Sequence, residues 1–138
     1  MATHRLTLAP DIAEVARLID WVEQCCSNAG FGGEFAIRLA LALDEAVSNV
    51  IRHAFVGQRP PHRIELRLEF HETGVVATLI DNGKPFDPSS LSPPDVSLSA
   101  EHREPGGLGL LLLHKMVDRV AYRRGDGENR LRLEKSRT

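Results

Sequence analysis

Three short stretches of the sequence carry residues that could bind a phosphate group or transfer it. The first, Leu39 to Phe55, contains no proline or glycine and repeats apolar residues at helical spacing. Glu45 and Asn49 lie four positions apart in it, so a helix puts them about 40° apart on one face, nearly opposite the apolar stripe. The carbonyl oxygen of Asn suits Mg²⁺, and a glutamate one turn away can activate a hydroxyl or a water beside a terminal phosphate. Such a pair alone is more often part of a solvated helix face, so the other two stretches decide its interpretation.

The second stretch is Asp81-Asn82-Gly83, which follows the apolar run from Val75 to Ile80, a run typical of a buried strand. The carboxylate of Asp81 only accepts hydrogen bonds, so it matches the amine of adenine and mismatches the carbonyl of guanine, at a cost of about 1–3 kcal/mol. Gly83 allows a ligand to approach the backbone. Because Asp-Asn-Gly is also a strong turn signal, a simple strand-end turn remains open at this point.

The third stretch, Gly106-Gly107-Leu108-Gly109, opens an apolar segment with helical spacing. Free amides and the helix dipole make such a place attractive to phosphate. The stretch is neither a P-loop nor a dinucleotide fingerprint, since it lacks the Gly-Lys-Ser/Thr ending and the third glycine. A flexible hinge before a core helix explains the glycines equally well.

Two further residues are candidates for the same site. Arg103, just before the glycines, is the best candidate for a cation facing the phosphates, and Lys84 is a weaker one. His53 is a candidate for a hydrogen-bonding residue near Asn49, although a structural role explains it equally well. The six histidines show no metal-ligand spacing, so we expect no zinc site.

The elements that must position these residues follow from periodicity. The pattern predicts the order β-α-α-β-β-(loop)-α-β-β, with strands near 4–8, 64–70, 75–80, 120–122 and 129–133. Residues 84–105 hold five of the eight prolines, and a loop of about twenty residues is typical of a lid or a binding loop. We therefore predict one α+β domain over residues 1–138, with helices on one face of a mixed sheet.

Composition restricts the partners and the compartment. The net charge of −2 gives no reason to expect nucleic acid or a membrane as a partner. The basic residues near the C-terminus are interpreted as the wet face of a hairpin and a short tail: Arg123, Arg124, Arg130, Arg132, Lys135 and Arg137. Cys25 and Cys26 are adjacent and do not readily bridge each other, and the N-terminus has no apolar leader. We therefore expect a reduced, cytoplasmic protein.

Taken together, the three motifs resemble those of the GHKL ATPase superfamily. The segment DEAVSNVIRHAF is similar to its N box, DNGKPFDP to its adenine-binding G1 box, and GGLGLLLLHKMVD to its G2 box. Order and spacing match over roughly residues 6–134. Within the superfamily, the short stand-alone form with PFDP and GGLGL is similar to the bacterial anti-sigma factor serine kinases.

The resemblance implies a Bergerat-type two-layer α/β sandwich with an ATP lid, which binds ATP and Mg²⁺. It implies Glu45 as general base, Asn49 on Mg²⁺ and Asp81 on adenine, with the nucleotide lined by Gly83, Gly107 and Gly109. The substrate in that family is a serine of a STAS-type anti-anti-sigma protein, and a dimer of the kinase holds a sigma factor inactive. The sequence departs from many G1 boxes, because Lys84-Pro85-Phe86 replaces a second glycine.

Other functions remain open from the sequence. The chain could be a non-catalytic module in which ATP only changes the surface offered to a partner, or its switching partner could be a protein other than a sigma factor. The catalytic half of a histidine kinase is disfavoured, because no phosphoacceptor helix precedes the ATP motifs. DNA binding through the basic residues near the C-terminus has no further support.

Overall fold

The computed structural model describes residues 2–87 and 113–137. Two long helices follow the first strand, and four further strands complete the sheet. The elements are β1 (Ala2–Leu8), α1 (Glu14–Asn28), α2 (Gly33–Asn49), β2 (Ile64–His71), β3 (Gly74–Asp81), β4 (Arg119–Gly125) and β5 (Glu128–Ser136). The predicted order of these elements is confirmed. Most of the predicted lid lies outside the described residues, as does the start of the predicted third helix.

The five strands form one sheet in the order β1-β2-β3-β5-β4. Every neighbouring pair in this described sheet is antiparallel, so the expectation of a mixed sheet was wrong. The cause is the position of β5. Strands β3 and β4 run in the same direction, but β5 returns between them and pairs with both. Between β1 and β2, the two helices together bring the chain back to the end where β1 stopped, so β2 also runs antiparallel.

The core lies between the two helices and one face of the sheet. Strand β2 alternates buried and half-buried residues, and its buried positions Ile64, Leu66 and Leu68 join the same cluster as Leu18 of α1 and Leu43 of α2. The other face of β2 carries Glu65, Arg67 and Glu69. Period-two alternation in the sequence therefore sets which face of the sheet meets the helices, as an α+β architecture requires.

Helix α2 is enclosed near its C-terminal end. Ala46, Val47, Ser48, Asn49 and Val50 are consecutive and all buried, so Asn49 itself does not lie on a solvated helix face, although Arg52 beyond it is exposed. The helix then widens into one π-helical turn over Val50–Ala54. In the part of the chain that the model describes, no helix has both the length and the hydropathy needed to cross a membrane.

Candidate functional site

Asp81 is the last residue of β3, and only 3% of it is exposed. Its Oδ1 accepts a hydrogen bond from the backbone amide of Gly83 at 2.9 Å, which forms the tight turn predicted from Asp-Asn-Gly. Burial raises the pKa of the Asp81 carboxyl above its ordinary value, and the nearby charge of Glu128 acts in the same direction. Hydrogen bonds to the carboxylate and the charge of Arg124 oppose that rise. When ionised, this buried carboxylate can only accept hydrogen bonds.

The turn Asp81-Asn82-Gly83, the Asp-x-Gly turn, contacts the π-helical turn that ends α2, the central helix. A Cβ added to Gly83 would lie 2.5 Å from the carbonyl oxygen of Ala54 and 2.7 Å from its Cβ, so only glycine fits without displacement. The amide of Lys84 donates to the same Ala54 oxygen at 2.8 Å. The π-helical turn thus joins the first sequence motif to the second, and such turns often occur at functional sites.

Glu45 and Asn49 contact each other as their spacing predicts. The Nδ2 of Asn49 donates to Oε1 of Glu45 at 3.2 Å, and Asn49 is fully buried while Glu45 is half-buried. The Nη1 of Arg52 lies 3.4 Å from Oδ1 of Asn49. The glutamate is therefore held at one oxygen and remains partly accessible to solvent, which suits a group that must meet a second molecule.

The donor set around Asn49 decides what kind of metal site is possible. Among the described residues, no group of three or more His, Cys, Asp or Glu side chains is placed to hold a metal ion. A single neutral amide oxygen fits Mg²⁺, which keeps several waters and takes its other ligands from substrate phosphates.

His53 lies beside the same turn. Its ring centroid is 5.4 Å from that of Phe86, which follows the Asp-Asn-Gly turn, and His53 is half-buried. Contacts among the described residues thus link two segments. One segment carries Glu45, Asn49 and His53, and the other carries Asp81 and Gly83. The other predicted site residues, Arg103, Gly106, Gly107, Leu108 and Gly109, lie outside the described residues.

Sequence reasoning missed Asn129, the first core-facing residue of β5 after its turn. Asn129 pairs directly with Asp81 across the sheet, and only 2% of it is exposed. Its Nδ2 donates to Oδ1 of Asp81 at 2.9 Å and to the carbonyl oxygen of Lys84 at 2.7 Å. A signal was available, because Asn129, Leu131 and Leu133 alternate on one face, and a polar residue on a core face needs partners.

Two residues of β4 complete this arrangement. The hydroxyl of Tyr122 donates to Oδ1 of Asn129 at 2.6 Å, and Nη1 of Arg124 donates to the same atom at 3.2 Å. Arg124 also donates to the carbonyl oxygen of Gly83 at 2.7 Å. Arg124 is exposed, as expected for this hairpin and like Arg123, but its hydrogen bonds to Gly83 and Asn129 were not predicted from the sequence. Its side chain reaches inward because it shares a register position with Asn129.

Comparison with known proteins finds related sequences over most of the chain. The sequence model of the histidine kinase-like ATPase domain family matches residues 8–135 of the chain. The chain is 29% identical over 133 residues to the serine/threonine-protein kinase BtrW of Bordetella bronchiseptica, covering 95% of this chain and 92% of that protein. It is 32% identical over 124 residues to the serine-protein kinase RsbW of Listeria innocua, covering 86% of this chain and 76% of that protein.

Solved structures show the same fold. The RsbU and RsbW domains from Mycobacterium tuberculosis match 98% of this chain and 32% of that chain, with a TM-score of 0.69 and 15% identity. The catalytic domain of the histidine kinase ThkA matches 100% of this chain and 99% of that chain, with a TM-score of 0.53 and 16% identity. The α+β architecture predicted from the motifs is therefore confirmed.

Proposed function

Since the chain belongs to the histidine kinase-like ATPase domain family, we propose that it is an ATP-dependent serine-protein kinase of a bacterial partner-switching system. Its substrate is a serine of a STAS-type anti-anti-sigma protein, and its other partner is a sigma factor or a comparable switching protein. The kinase names of BtrW and RsbW, which match most of this chain, support the reaction class. The chain acts as a single domain over residues 1–138, in the cytoplasm and as a homodimer.

One observation carries the proposal: the join between the central helix and the Asp-x-Gly turn. The carbonyl oxygen of Ala54 accepts a hydrogen bond from the Lys84 amide. Ala54 also lies so close to position 83 that only glycine fits there. This join fixes the helix that carries Glu45 and Asn49 relative to the buried acceptor Asp81. In the proposed complex, the adenine would meet Asp81 and the phosphates would face the helix that carries Glu45 and Asn49.

Each residue has a role that its chemistry supports. Asp81 accepts the amine of adenine, and Gly83 lets the base approach the backbone. His53 borders the nucleotide beside Phe86. The glycine-rich run from Gly106 to Gly109 lines the phosphates, and Arg103 supplies a cation to them.

Asn49 offers its amide oxygen to Mg²⁺, which, when bound with ATP, neutralises phosphate charge. The hydrogen bond from Arg52 Nη1 to the same oxygen is long, at 3.4 Å, so Mg²⁺ could displace it at little cost. Glu45 takes the proton of the substrate serine. In the transfer, the serine oxygen bonds to the terminal phosphorus and the bond from that phosphorus to ADP breaks. The Nδ2 of Asn49, 3.2 Å from Oε1 of Glu45, keeps the carboxylate oriented for this step.

The test is transfer of labelled γ-phosphate from ATP to a STAS-domain protein, with mass spectrometry to locate the phosphoserine. Glu45→Gln should reduce transfer by about 10²–10⁴-fold while ATP binding, measured by calorimetry, changes little. The matched control is Asp44→Asn, a neighbouring half-buried carboxylate that instead accepts from the Ser48 hydroxyl at 3.0 Å. That variant should retain transfer.

The outcomes separate the proposed kinase from a non-catalytic ATP-gated module. If ATP binds, no STAS-domain protein is phosphorylated and Glu45→Gln leaves partner exchange unchanged, the chain is such a module. If wild-type protein shows no heat of ATP binding, neither function survives.

A further inference from the structure

We propose that Asn129 is a positioning residue that keeps the Asp81 carboxylate ionised and correctly oriented, and thereby sets the preference for adenine over guanine nucleotides. The inference rests on the proposed function, because it takes Asp81 as the acceptor for the base. It assigns a role in nucleotide selectivity to Asn129 of β5, a strand that none of the three sequence motifs includes.

The hydrogen bonds of Asn129 determine which way its amide points. Both Nδ2 bonds go to oxygen atoms, Oδ1 of Asp81 and the carbonyl of Lys84, at 2.9 and 2.7 Å. Its Oδ1 receives the hydroxyl of Tyr122, the amide of Phe86 at 3.2 Å and Nη1 of Arg124. Exchanging the oxygen and the nitrogen would place like groups together at four of these five contacts, because only the Tyr122 hydroxyl can also accept. The donor side of the amide therefore faces Asp81.

Asn129 fixes the carboxylate on one side only. Among the described residues, the hydrogen bonds found on Asp81 both go to Oδ1, from the Gly83 amide and from Asn129, each at 2.9 Å. An oxygen with two donors is close to its capacity. The incoming amine of adenine is thus directed to Oδ2, and the plane of the carboxylate is set before the base arrives.

Asn129 also opposes the effect of burial on Asp81. Two charged groups act on the carboxyl. Arg124 from β4 favours its ionised form, and Glu128 from β5 opposes it. Strand β2 presents the apolar Ile64 opposite Asp81, and the π-helical turn presents Ala54 to the neighbouring glycine. Asn129 is therefore the principal neutral donor that favours the ionised form, together with the Gly83 amide.

Ionisation determines which base fits. An ionised carboxylate only accepts, so it pairs with the amine of adenine and leaves the carbonyl of guanine unpaired. A protonated carboxyl can donate, so it accommodates that carbonyl and the discrimination weakens. A residue that holds Asp81 ionised consequently acts on selectivity without touching the nucleotide.

The decisive variant is Asn129→Asp, which keeps the shape and the acceptor oxygen but replaces the donor facing Asp81. At mildly alkaline pH two carboxylates then face each other, and ATP affinity should fall about tenfold or more. As the pH falls, the pair takes up one shared proton, and the protonated carboxyl can donate to its neighbour. ATP affinity of this variant should therefore rise on acidification. Wild-type protein has no second carboxylate to share a proton with Asp81, so its affinity should not rise on acidification.

The measurement is isothermal calorimetry of MgATP and MgGTP binding across the mildly acidic to mildly alkaline range. The matched control is Asn82→Asp, with the same change of charge one residue from Asp81. Asn82 instead receives the Arg63 amide at 2.7 Å and donates to the Pro61 carbonyl at 2.8 Å. The control should keep the wild-type pH trend, and protonation of ATP itself affects all three proteins alike.

A second variant covers the case in which Asn129→Asp does not fold at neutral pH. Asn129→Ala removes the donor without adding charge and should lower the ratio of ATP to GTP affinity about tenfold. The inference is overturned if the folded variants keep both the wild-type pH trend and the wild-type ATP to GTP ratio. Wild-type protein that binds no ATP would overturn the proposed function instead, so the two failures are distinguishable.

Discussion

Asn129 and Asp81, 48 positions apart in the sequence, face each other across β3 and β5 with Nδ2 of the amide 2.9 Å from Oδ1 of the carboxylate. Around this pair, Arg124 holds the Gly83 carbonyl and Asn129 holds the Lys84 carbonyl, at 2.7 Å each. The adenine acceptor of the proposed site is therefore held both by its own turn and by the C-terminal hairpin. Substitutions in that hairpin should therefore change the affinity for the nucleotide.

The close approach at Gly83 predicts a steric effect of a single methyl group. In Gly83→Ala, the new Cβ would meet the Ala54 carbonyl at 2.5 Å, so the turn and the end of the central helix must separate. We expect the free energy of unfolding to fall by about 1–3 kcal/mol, measured by urea denaturation, and ATP affinity to fall with it. The matched control is Gly125→Ala, where an added Cβ meets nothing within 4 Å. Equal stability of the two variants would show that the join is looser than described.

The environment of Asp81 predicts that the acceptor costs stability at neutral pH. The folded-state pKa of Asp81 is raised above 3.8, mainly by burial. Its contribution to the free energy of unfolding is therefore fully present below pH 3.8 and is lost as pH rises through the raised folded-state value. Asp81→Asn, which cannot ionise, should lack this loss.

The measurement for Asp81→Asn is denaturant unfolding at several pH values together with calorimetry of ATP. Relative to wild type, the variant should gain stability on going from acid to neutral pH, and it should bind ATP about tenfold more weakly or worse, because an amide offers a donor to the amine. A variant that loses stability relative to wild type over that interval would contradict the expected direction of the pKa shift.

Much of the fold and part of the site could be predicted from local patterns. The alternation of buried residues in β2 and the apolar face of α2 both follow from side chains at fixed spacing along the chain. They could therefore be predicted without knowing which elements pack together. The sheet direction was not, because whether β5 returns between β3 and β4 depends on long-range pairing.

The same distinction holds for the site residues. Glu45 and Asn49 contact each other through helical spacing alone, so the sequence could predict their pairing. The role of Asn129 depends on a partner 48 positions away, and only the register of β3 and β5 brings the two together. The inward reach of Arg124 likewise depends on which strand neighbours β4.

The two cysteines give a prediction about reactivity. Cys25 is 6% exposed and Cys26 is 0% exposed, and burial raises the pKa of Cys26 to about 11. The thiolate is the reactive form, so both thiols should resist alkylation at neutral pH in the folded protein and react fully in denaturant. Counting labelled thiols by mass spectrometry before and after unfolding checks this. Rapid labelling of Cys26 in the native state would show that α1 opens locally.

The last prediction compares two adjacent arginines of β4. Arg124→Ala removes the donor to the Gly83 carbonyl and to Asn129, and it also removes the positive charge that favours ionised Asp81. We expect the free energy of unfolding to fall by about 1–3 kcal/mol, since a hydrogen bond to a charged group is lost. ATP affinity should fall more steeply on acidification than in wild type, because Asp81 protonates more easily.

Arg123→Ala is the control for this pair, since Arg123 is exposed like Arg124 but pairs in register with Arg130, away from Asn129. It should change stability by less than about 0.5 kcal/mol and leave the pH dependence of ATP binding unaltered. Calorimetry and urea denaturation on both variants give the comparison. If the two substitutions had the same effect on ATP binding, the inward contacts of Arg124 could not be what positions the Asp-x-Gly turn.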